Sequence, residues 1–196
     1  IASELAKAGQ TQKALQIFDD ALNAAGSIYD DSKKALALKD IAVELAKAGQ
    51  FDKALTVAGS ISDNDDKAEA LIDIVVELAE AGRFDKAFNV ARSIYYDFLK
   101  AQALRYIASE LAKAGQFDKA FDVAGFIYDN YYKAWALKDI AVELAKTGQT
   151  QKALQIFDKA VNAVWSISDD SEKADTLSNI ASELAKAGQT QKALQI

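Results

Sequence analysis

Apolar side chains recur along the chain at the three- and four-residue spacing of an α-helix, in segments that each stop at a glycine. In one segment the apolar positions include Leu38, Ile41, Ala42 and Leu45, which fall on one helical face. The segment stops at Gly49, and glycine accepts the left-handed backbone that closes many helices. The pattern predicts a helix of about 16 residues before each such glycine, called helix A below.

The segment is repeated. The block IASELAKAGQ at Ile1 returns, with small changes, at Ile41, Ile74, Ile107, Ile140 and Ile180, and its glycines are spaced by 40, 33, 33, 33 and 40 residues. Periods of this length are typical of stacked helix pairs. An Asp or Asn lies 18 places before each glycine from the second unit onward, and we predict these residues as helix N-caps. They are Asp31, Asn64, Asp97, Asn130 and Asp170.

A second helix, helix B, is predicted after each glycine, where FDKAL or TQKAL begins a new apolar stripe such as Ala54, Leu55 and Ala58. The units have two lengths that differ by seven residues. Seven residues make about two helical turns, so we predict that the longer units extend helix B itself. The glycines before the end of helix B, Gly26, Gly59 and Gly125, are expected in ordinary helix, because Arg92 and Trp165 take their place elsewhere.

These elements predict an all-α fold, a single stack of antiparallel helix pairs over residues 1–196. The absence of Pro and the abundance of Ala, Leu, Lys and Glu agree with helix throughout. About six units are expected, the terminal ones incomplete, at 1–30, 31–63, 64–96, 97–129, 130–169 and 170–196.

The units resemble tetratricopeptide repeats. The matching residues of the second unit are Leu38, Ile41, Ala42, Gly49, Phe51 and Ala54, and the third and fourth units match at the same places. The later aromatic residue of helix B is kept as Phe18 and Phe157, but Pro before each new helix is absent. The resemblance implies a right-handed α-solenoid whose A helices line a concave wall.

On that wall the resemblance implies a partner-binding site in which Val and Ile lie among Lys and Arg, together with aromatic residues. The residues are Leu36, Lys39, Val43, Lys47, Ile72, Val76, Arg105, Tyr106, Lys113, Trp135, Lys138, Val142 and Lys146. Such a surface suits a peptide or protein with acidic groups beside an apolar anchor. The alternative is an ordinary solvated face with Lys stems packed on the helices.

Aromatic residues are concentrated at the junctions of the third to fifth units, where other units carry small polar residues. They are Tyr95, Tyr96, Phe98, Tyr106, Phe126, Tyr128, Tyr131, Tyr132 and Trp135. Enrichment of Tyr and Trp is typical of interface hot spots. Filling of gaps between short units would explain the same pattern, so both readings stay open.

Composition excludes several function classes. The chain has no His and no Cys, and no pair of carboxylates is distinguished from the rest, so we expect no enzyme, no metal site and no cofactor. The acidic turns at 62–66 and 168–172 lack the Gly and Glu places of a calcium loop. A net charge of −6 disfavours nucleic acid, and no apolar run reaches the roughly 20 residues of a membrane helix.

We therefore expect a non-catalytic scaffold for protein–protein interaction. One alternative is a self-assembling array that stacks end to end, since Ile1–Ile17 and Ile180–Ile196 are identical and leave apolar faces uncovered. RNA binding of the pentatricopeptide type is less favoured, because the base-reading places would hold Lys39, Ile72 and Arg105. The start at Ile1, inside a repeat, suggests a fragment of a longer protein, and a cytoplasmic location is expected.

Overall fold

The computed structural model describes residues 1–196, of which 155 lie in twelve α-helices and none in a strand. The helices are α1 (Ala2–Lys7), α2 (Thr11–Gly26), α3 (Asp31–Lys47), α4 (Phe51–Gly59), α5 (Asn64–Glu80), α6 (Phe84–Ser93), α7 (Asp97–Lys113), α8 (Phe117–Gly125), α9 (Asn130–Lys146), α10 (Thr150–Trp165), α11 (Asp170–Lys186) and α12 (Thr190–Ala193). Odd-numbered helices are the predicted A helices and even-numbered ones the B helices.

The chain forms two compact units, Ile1–Lys100 and Ala101–Ile196. Within the first, α3 packs on α1, α2, α4 and α5, and α5 packs on α4 and α6. Within the second, α9 packs on α8, α10 and α11, and α11 packs on α10 and α12. Helices therefore contact their neighbours along the chain, as a repeat fold requires. The predicted all-α repeat architecture is confirmed.

Each turn from helix A to helix B is closed by a glycine in the left-handed region. At the end of α3, Gly49 has a φ of +75°, its N–H donates to the Ala46 carbonyl, and the Gln50 N–H donates to the Leu45 carbonyl. This pair of bonds is the Schellman motif, which satisfies carbonyls that the helix leaves unbonded. The turn role predicted for this glycine is confirmed. Gly26, Gly59 and Gly125 end α2, α4 and α8 without a positive φ, also as predicted.

The predicted N-caps are wrong by one residue. The cap of α3 is Asp30, whose carboxylate accepts from the Lys33 N–H at 2.9 Å. Asp63 likewise accepts from the N–H groups of residues 65 and 66. Two capping residues follow each other in sequence at these starts, and the first keeps an extended backbone while the second is already helical. The corrected caps are Asp30, Asp63, Asp129 and Asp169, in place of Asp31, Asn64, Asn130 and Asp170.

The seven extra residues of the long units lie inside helix B, as predicted. Helices α2 and α10 have 16 residues, whereas α4 and α8 have 9. In α10 the two additional turns bury Ala160 and Val164 completely. Phe157 is also buried there, and short B helices place a fully buried alanine, such as Ala58, at the corresponding site. Small residues let neighbouring helices approach closely, which is how this Ala-rich chain builds a core.

Candidate functional site

In each of the two compact units, the residues predicted to bind a partner are accessible positions of the A helices, and we call these positions the helix-A face. None of the thirteen is buried. Leu36 is 49% exposed, while Val43, Ile72 and Val76 are half-buried beside it on α3 and α5. The face therefore offers apolar side chains to solvent in the first unit. Charged residues surround these apolar side chains. Whether those charges are already paired within the chain decides what kind of partner the face could hold.

Lys39 is already paired with two carboxylates of the chain. Its Nζ lies 2.8 Å from Asp66 Oδ1 and 2.7 Å from Glu69 Oε2, both on α5. The hydrogen bond to Asp66, followed by that to Glu69, raises the pKa of Lys39 well above its usual range. This lysine links α3 to α5, so its charge is largely neutralised before any partner arrives.

Lys47 and Glu44 form a second pair, which reaches α1. Lys47 Nζ lies 2.9 Å from Glu44 Oε1, and the Ser3 hydroxyl of α1 donates to the other oxygen of Glu44. These hydrogen bonds, with Ser3 the larger cause, hold the pKa of Glu44 below its usual range. The bond from Glu44 in turn raises the pKa of Lys47.

The α5 side of the helix-A face is acidic, which the sequence analysis did not predict. Burial raises the pKa of Asp73, with Lys47 acting against it. Burial also raises the pKa of Glu77, helped by the nearby charge of Glu80. In the first compact unit, carboxylates thus outnumber the lysines that the sequence predicted on the helix-A face. The signal was present in the sequence, because the α5 copy of the block reads VELAE, with Glu77 and, where other copies carry Lys, Glu80.

In the second compact unit, Trp135 is the centre of a charged and aromatic cluster. Arg105 Cζ lies 5.1 Å and Lys138 Nζ 4.3 Å from the centroid of its ring, within the range of cation–π attraction. Asp139 forms ion pairs with both cations, at 3.5 Å from Arg105 Nη2 and 2.8 Å from Lys138 Nζ. Four predicted or neighbouring site residues are therefore brought together by α7 and α9.

Two tyrosines extend this cluster along α9. The Tyr131 ring lies 6.1 Å from that of Trp135 and 5.2 Å from that of Tyr132, edge to face in the second case. Tyr132 is buried, and burial raises the pKa of its hydroxyl. We call Arg105, Tyr131, Trp135, Lys138 and Asp139 the Trp135 cluster.

The aromatic residues of the junctions divide between the two readings that the sequence left open. Tyr132 is buried and acts in packing, and Tyr96, Tyr106, Tyr131 and Trp135 are half-buried. The remaining four stand out into solvent. They are Tyr95 at 81% exposure, Phe98 at 59%, Phe126 at 49% and Tyr128 at 91%.

The Trp135 cluster also contains two buried nitrogens without an acceptor, Arg105 Nε and Trp135 Nε1. Buried donors of this kind are uncommon in folded proteins, because each loses its bonds to water.

The other predicted cations are paired within their own helix. Lys113 lies 2.6 Å from Glu110, and Lys146 lies 2.7 Å from Glu143, each three residues earlier. Val142 is half-buried on α9, the helix that carries Lys146. Every Lys and Arg of the predicted site therefore has a carboxylate of the chain within 4 Å.

Two further findings concern metal ligands and membrane-spanning helices. No three Asp or Glu side chains are grouped as metal ligands would be. None of the helices combines the length and the apolar character needed to cross a bilayer.

Comparison with known proteins assigns no family. The chain matches no family model, and no curated protein matches it. Among solved structures it is similar to the crystal structure of Ton1535 from Thermococcus onnurineus NA1, with 26% sequence identity and a TM-score of 0.40. The similarity covers 79% of this chain and 47% of that one, so the chain spans about half the length of its neighbour. A TM-score this low supports no inference about function.

Proposed function

We propose that this chain is a non-catalytic scaffold for protein–protein interaction, built of tetratricopeptide-like units, that binds a peptide or protein on the helix-A face. The repeat architecture supports the proposal, because stacked helix pairs present an extended surface along which successive units can each contact a partner. The accessible apolar side chains of α3, α5 and α9 support it as well.

The observation that carries the proposal is the Trp135 cluster. Trp and Arg are the residue types most enriched among interface hot spots, especially where packing holds them in place. Here Arg105 and Lys138 stack on the indole, and Asp139 fixes both cations. A side chain held in this way loses little conformational entropy on binding, so more of the contact energy contributes to affinity.

The partner is expected to bind chiefly through an apolar anchor. The cations of the helix-A face already have carboxylate partners, so an acidic ligand would have to compete with Asp66, Glu69 or Asp139 for them. An apolar side chain on Trp135 and Val142 meets no such competition. Acidic groups on the partner would then contribute to selectivity more than to affinity.

A peptide-display selection tests the proposal. The chain contains two tryptophans, both in the same compact unit, so one can be replaced at the proposed site and the other can serve as the control. Peptides selected on the wild-type chain are measured by fluorescence anisotropy against Trp135→Ala and against the control Trp165→Ala. Trp165 is 58% exposed at the end of α10, outside the predicted face. We expect Trp135→Ala to lose about 2 kcal/mol of binding free energy, the size of a hot spot, and Trp165→Ala to lose almost none.

Circular dichroism shows whether each variant keeps the helical content of the wild type, and light scattering shows whether the chain is monomeric at the concentration used. Equal losses in the two variants would argue against a site at the Trp135 cluster. A selection that yields no reproducible peptide would argue against the scaffold itself.

A further inference from the structure

A groove on the B-helix side of the second compact unit differs from the helix-A face in the residues that line it. It lies between α8 and α10 and is bordered by the first turns of α9, with a volume of about 350 Å³. Its apolar surface comes from Phe121, Ala124, Leu137 and Ala163. Pockets of this size and composition are typical of small-molecule sites, which combine an apolar lining with a few convergent polar groups.

The polar groups of this groove include two cations that have no carboxylate partner. Lys133 and Lys159 both line it, and no Asp or Glu does. Lys159 Nζ lies 4.2 Å from the centroid of the Phe121 ring, a contact that keeps the ammonium group over the apolar surface. The contrast with the helix-A face is direct, since every predicted cation there is paired.

The longer helix B supplies one wall of this groove. Asn162 and Ala163 lie in the two additional turns of α10 and form one wall. The corresponding groove of the first unit lies between the short helices α4 and α6, where Ser93 takes the place of Lys159. There Lys67 donates to the Gly59 carbonyl at 3.1 Å, and Lys86, which also lines the groove, pairs with Asp52 at 2.5 Å. The first unit thus has the groove without its two free cations.

We propose that the groove between α8 and α10 binds a small monocarboxylate with an apolar chain. The chain lies on Phe121, Leu137 and Ala163, and the carboxylate lies between Lys133 and Lys159. A neighbouring groove that shares Phe121 and Lys159 is lined by Asp118, Asp122 and Lys152. Its carboxylates balance its lysines, which makes it less favourable for a carboxylate than the groove between α8 and α10. This site is independent of the proposed partner-binding face.

Isothermal titration calorimetry with three ligands of equal chain length tests the charge requirement. Octanoate, octan-1-ol and octylammonium are each titrated into the full chain at pH 7. We expect octanoate to bind with one-to-one stoichiometry, octan-1-ol to bind at least about tenfold more weakly, and octylammonium to give no saturable binding. Equal affinity for octanoate and octan-1-ol, or no saturable binding of octanoate, would overturn the proposal.

The double variant Lys133→Gln/Lys159→Gln tests the assignment of the cations. It is expected to bind octanoate at least about tenfold more weakly and octan-1-ol unchanged. The control Lys33→Gln/Lys119→Gln removes the same charge from exposed positions outside the groove and is expected to bind like the wild type. If both double variants lost octanoate affinity equally, the effect would come from net charge, and the proposed site would be wrong.

Two further measurements separate the remaining explanations. Asn162→Trp adds bulk at an exposed wall position without touching the core, and it is expected to abolish octanoate binding while leaving the circular dichroism spectrum unchanged. An acetylated tripeptide ending in a leucine carboxylate presents the same chemistry from a peptide. If it bound tenfold more tightly than octanoate, the site would be one for peptide termini, and the small-molecule assignment would be wrong.

Discussion

At the scale of single residues, the nine glycines serve two different purposes that only the backbone distinguishes. Gly49 lies at φ +75° after helix α3, whereas Gly59 is the last residue of α4 with an ordinary helical backbone. Added methyl groups would meet nothing within 4 Å at either position. Any difference between the two alanine variants must therefore come from backbone conformation and not from steric contact.

We expect Gly49→Ala to lower the free energy of unfolding by about 1–2 kcal/mol, the cost of a left-handed backbone for an L-residue. Gly59→Ala is expected to raise it by about 0.4–1 kcal/mol, because alanine restricts the unfolded chain and fits the helix. Urea unfolding followed by circular dichroism measures both. If the two variants changed stability in the same direction, the division into two glycine classes would be wrong.

Charges on the helix-A face give a second prediction at this scale. Burial raises the pKa of Asp73 in the folded chain, so the folded state binds this proton more tightly than the unfolded state. The contribution of Asp73 to stability therefore falls as the pH rises above about 3.9, the ordinary pKa of Asp, and the penalty is complete at neutral pH. Asp73→Asn is expected to stabilise the chain at pH 7 more than at pH 4.

Glu44 supplies the matched comparison, because its pKa is lowered by the Ser3 hydroxyl and by Lys47. Its stabilisation is present above about pH 4.3, the ordinary pKa of Glu, and is lost as the pH falls through the lowered value. Glu44→Gln is expected to destabilise the chain at pH 7 and to have a smaller effect at low pH. Urea unfolding at several pH values checks both variants, and parallel pH profiles would contradict the assigned causes.

Sequence reasoning succeeded at this scale where backbone geometry selects the residue type, as at Gly49. It failed where two residues of the same type compete for one role, as at Asp30 and Asp31, because composition cannot show which of them keeps the extended backbone. Sequence reasoning also could not predict the pairing of Lys39 with Asp66 and Glu69. That contact joins residues 27 and 30 places apart, and it depends on how α3 lies against α5.

At the scale of elements, the two lengths of helix B show how the repeat tolerates change. Seven residues rotate a helix by almost two full turns, so an apolar stripe continues on the same face. Helix α10 confirms this, since Phe157 and Val164 are seven residues apart and both buried. This periodicity is visible in the sequence and predicted the extension correctly.

Deletion of residues 157–163 tests the role of this register. The deletion places Val164 where short helices carry Ala58, so we expect a chain that still unfolds cooperatively, with lower stability because the buried Phe157 is lost. Deletion of residues 157–161 is the control. It rotates the rest of the helix by about 140° and turns Val164 away from the core, so cooperative unfolding should be lost. Thermal unfolding followed by circular dichroism distinguishes these outcomes, and equal stability of the two deletions would contradict the register argument.

The groove beside α10 could not be predicted in the same way. Its lysines come from α9 and α10, and their lack of carboxylate partners depends on which acidic residues lie nearby in space. The sequence did indicate a carboxylate beside an apolar anchor as ligand chemistry, but it assigned that chemistry to the helix-A face. There the residues of VELAK pair their own lysines, as Glu44 and Lys47 do.

At the scale of the whole molecule, contacts between helices that are close along the chain dominate each compact unit. In the second unit α11 packs on α9, α10 and α12. The stability of such an arrangement is approximately a sum of the stabilities of single repeats and of the interfaces between neighbours. A defect should therefore weaken its surroundings more than distant helices, which a globular core would not allow.

Leu184→Ala tests this expectation, because Leu184 is completely buried in α11 and its truncation leaves a cavity that costs about 2–5 kcal/mol. Native-state hydrogen exchange followed by mass spectrometry should show faster exchange in α11 and α12, a smaller change in α9 and α10, and none in α8. The matched control is Leu144→Ala at the same place in α9, which contacts helices on both sides and should accelerate exchange from α8 to α11. If Leu184→Ala instead accelerated exchange equally throughout the second unit, that unit would unfold as one cooperative core, and nearest-neighbour energetics would not describe it.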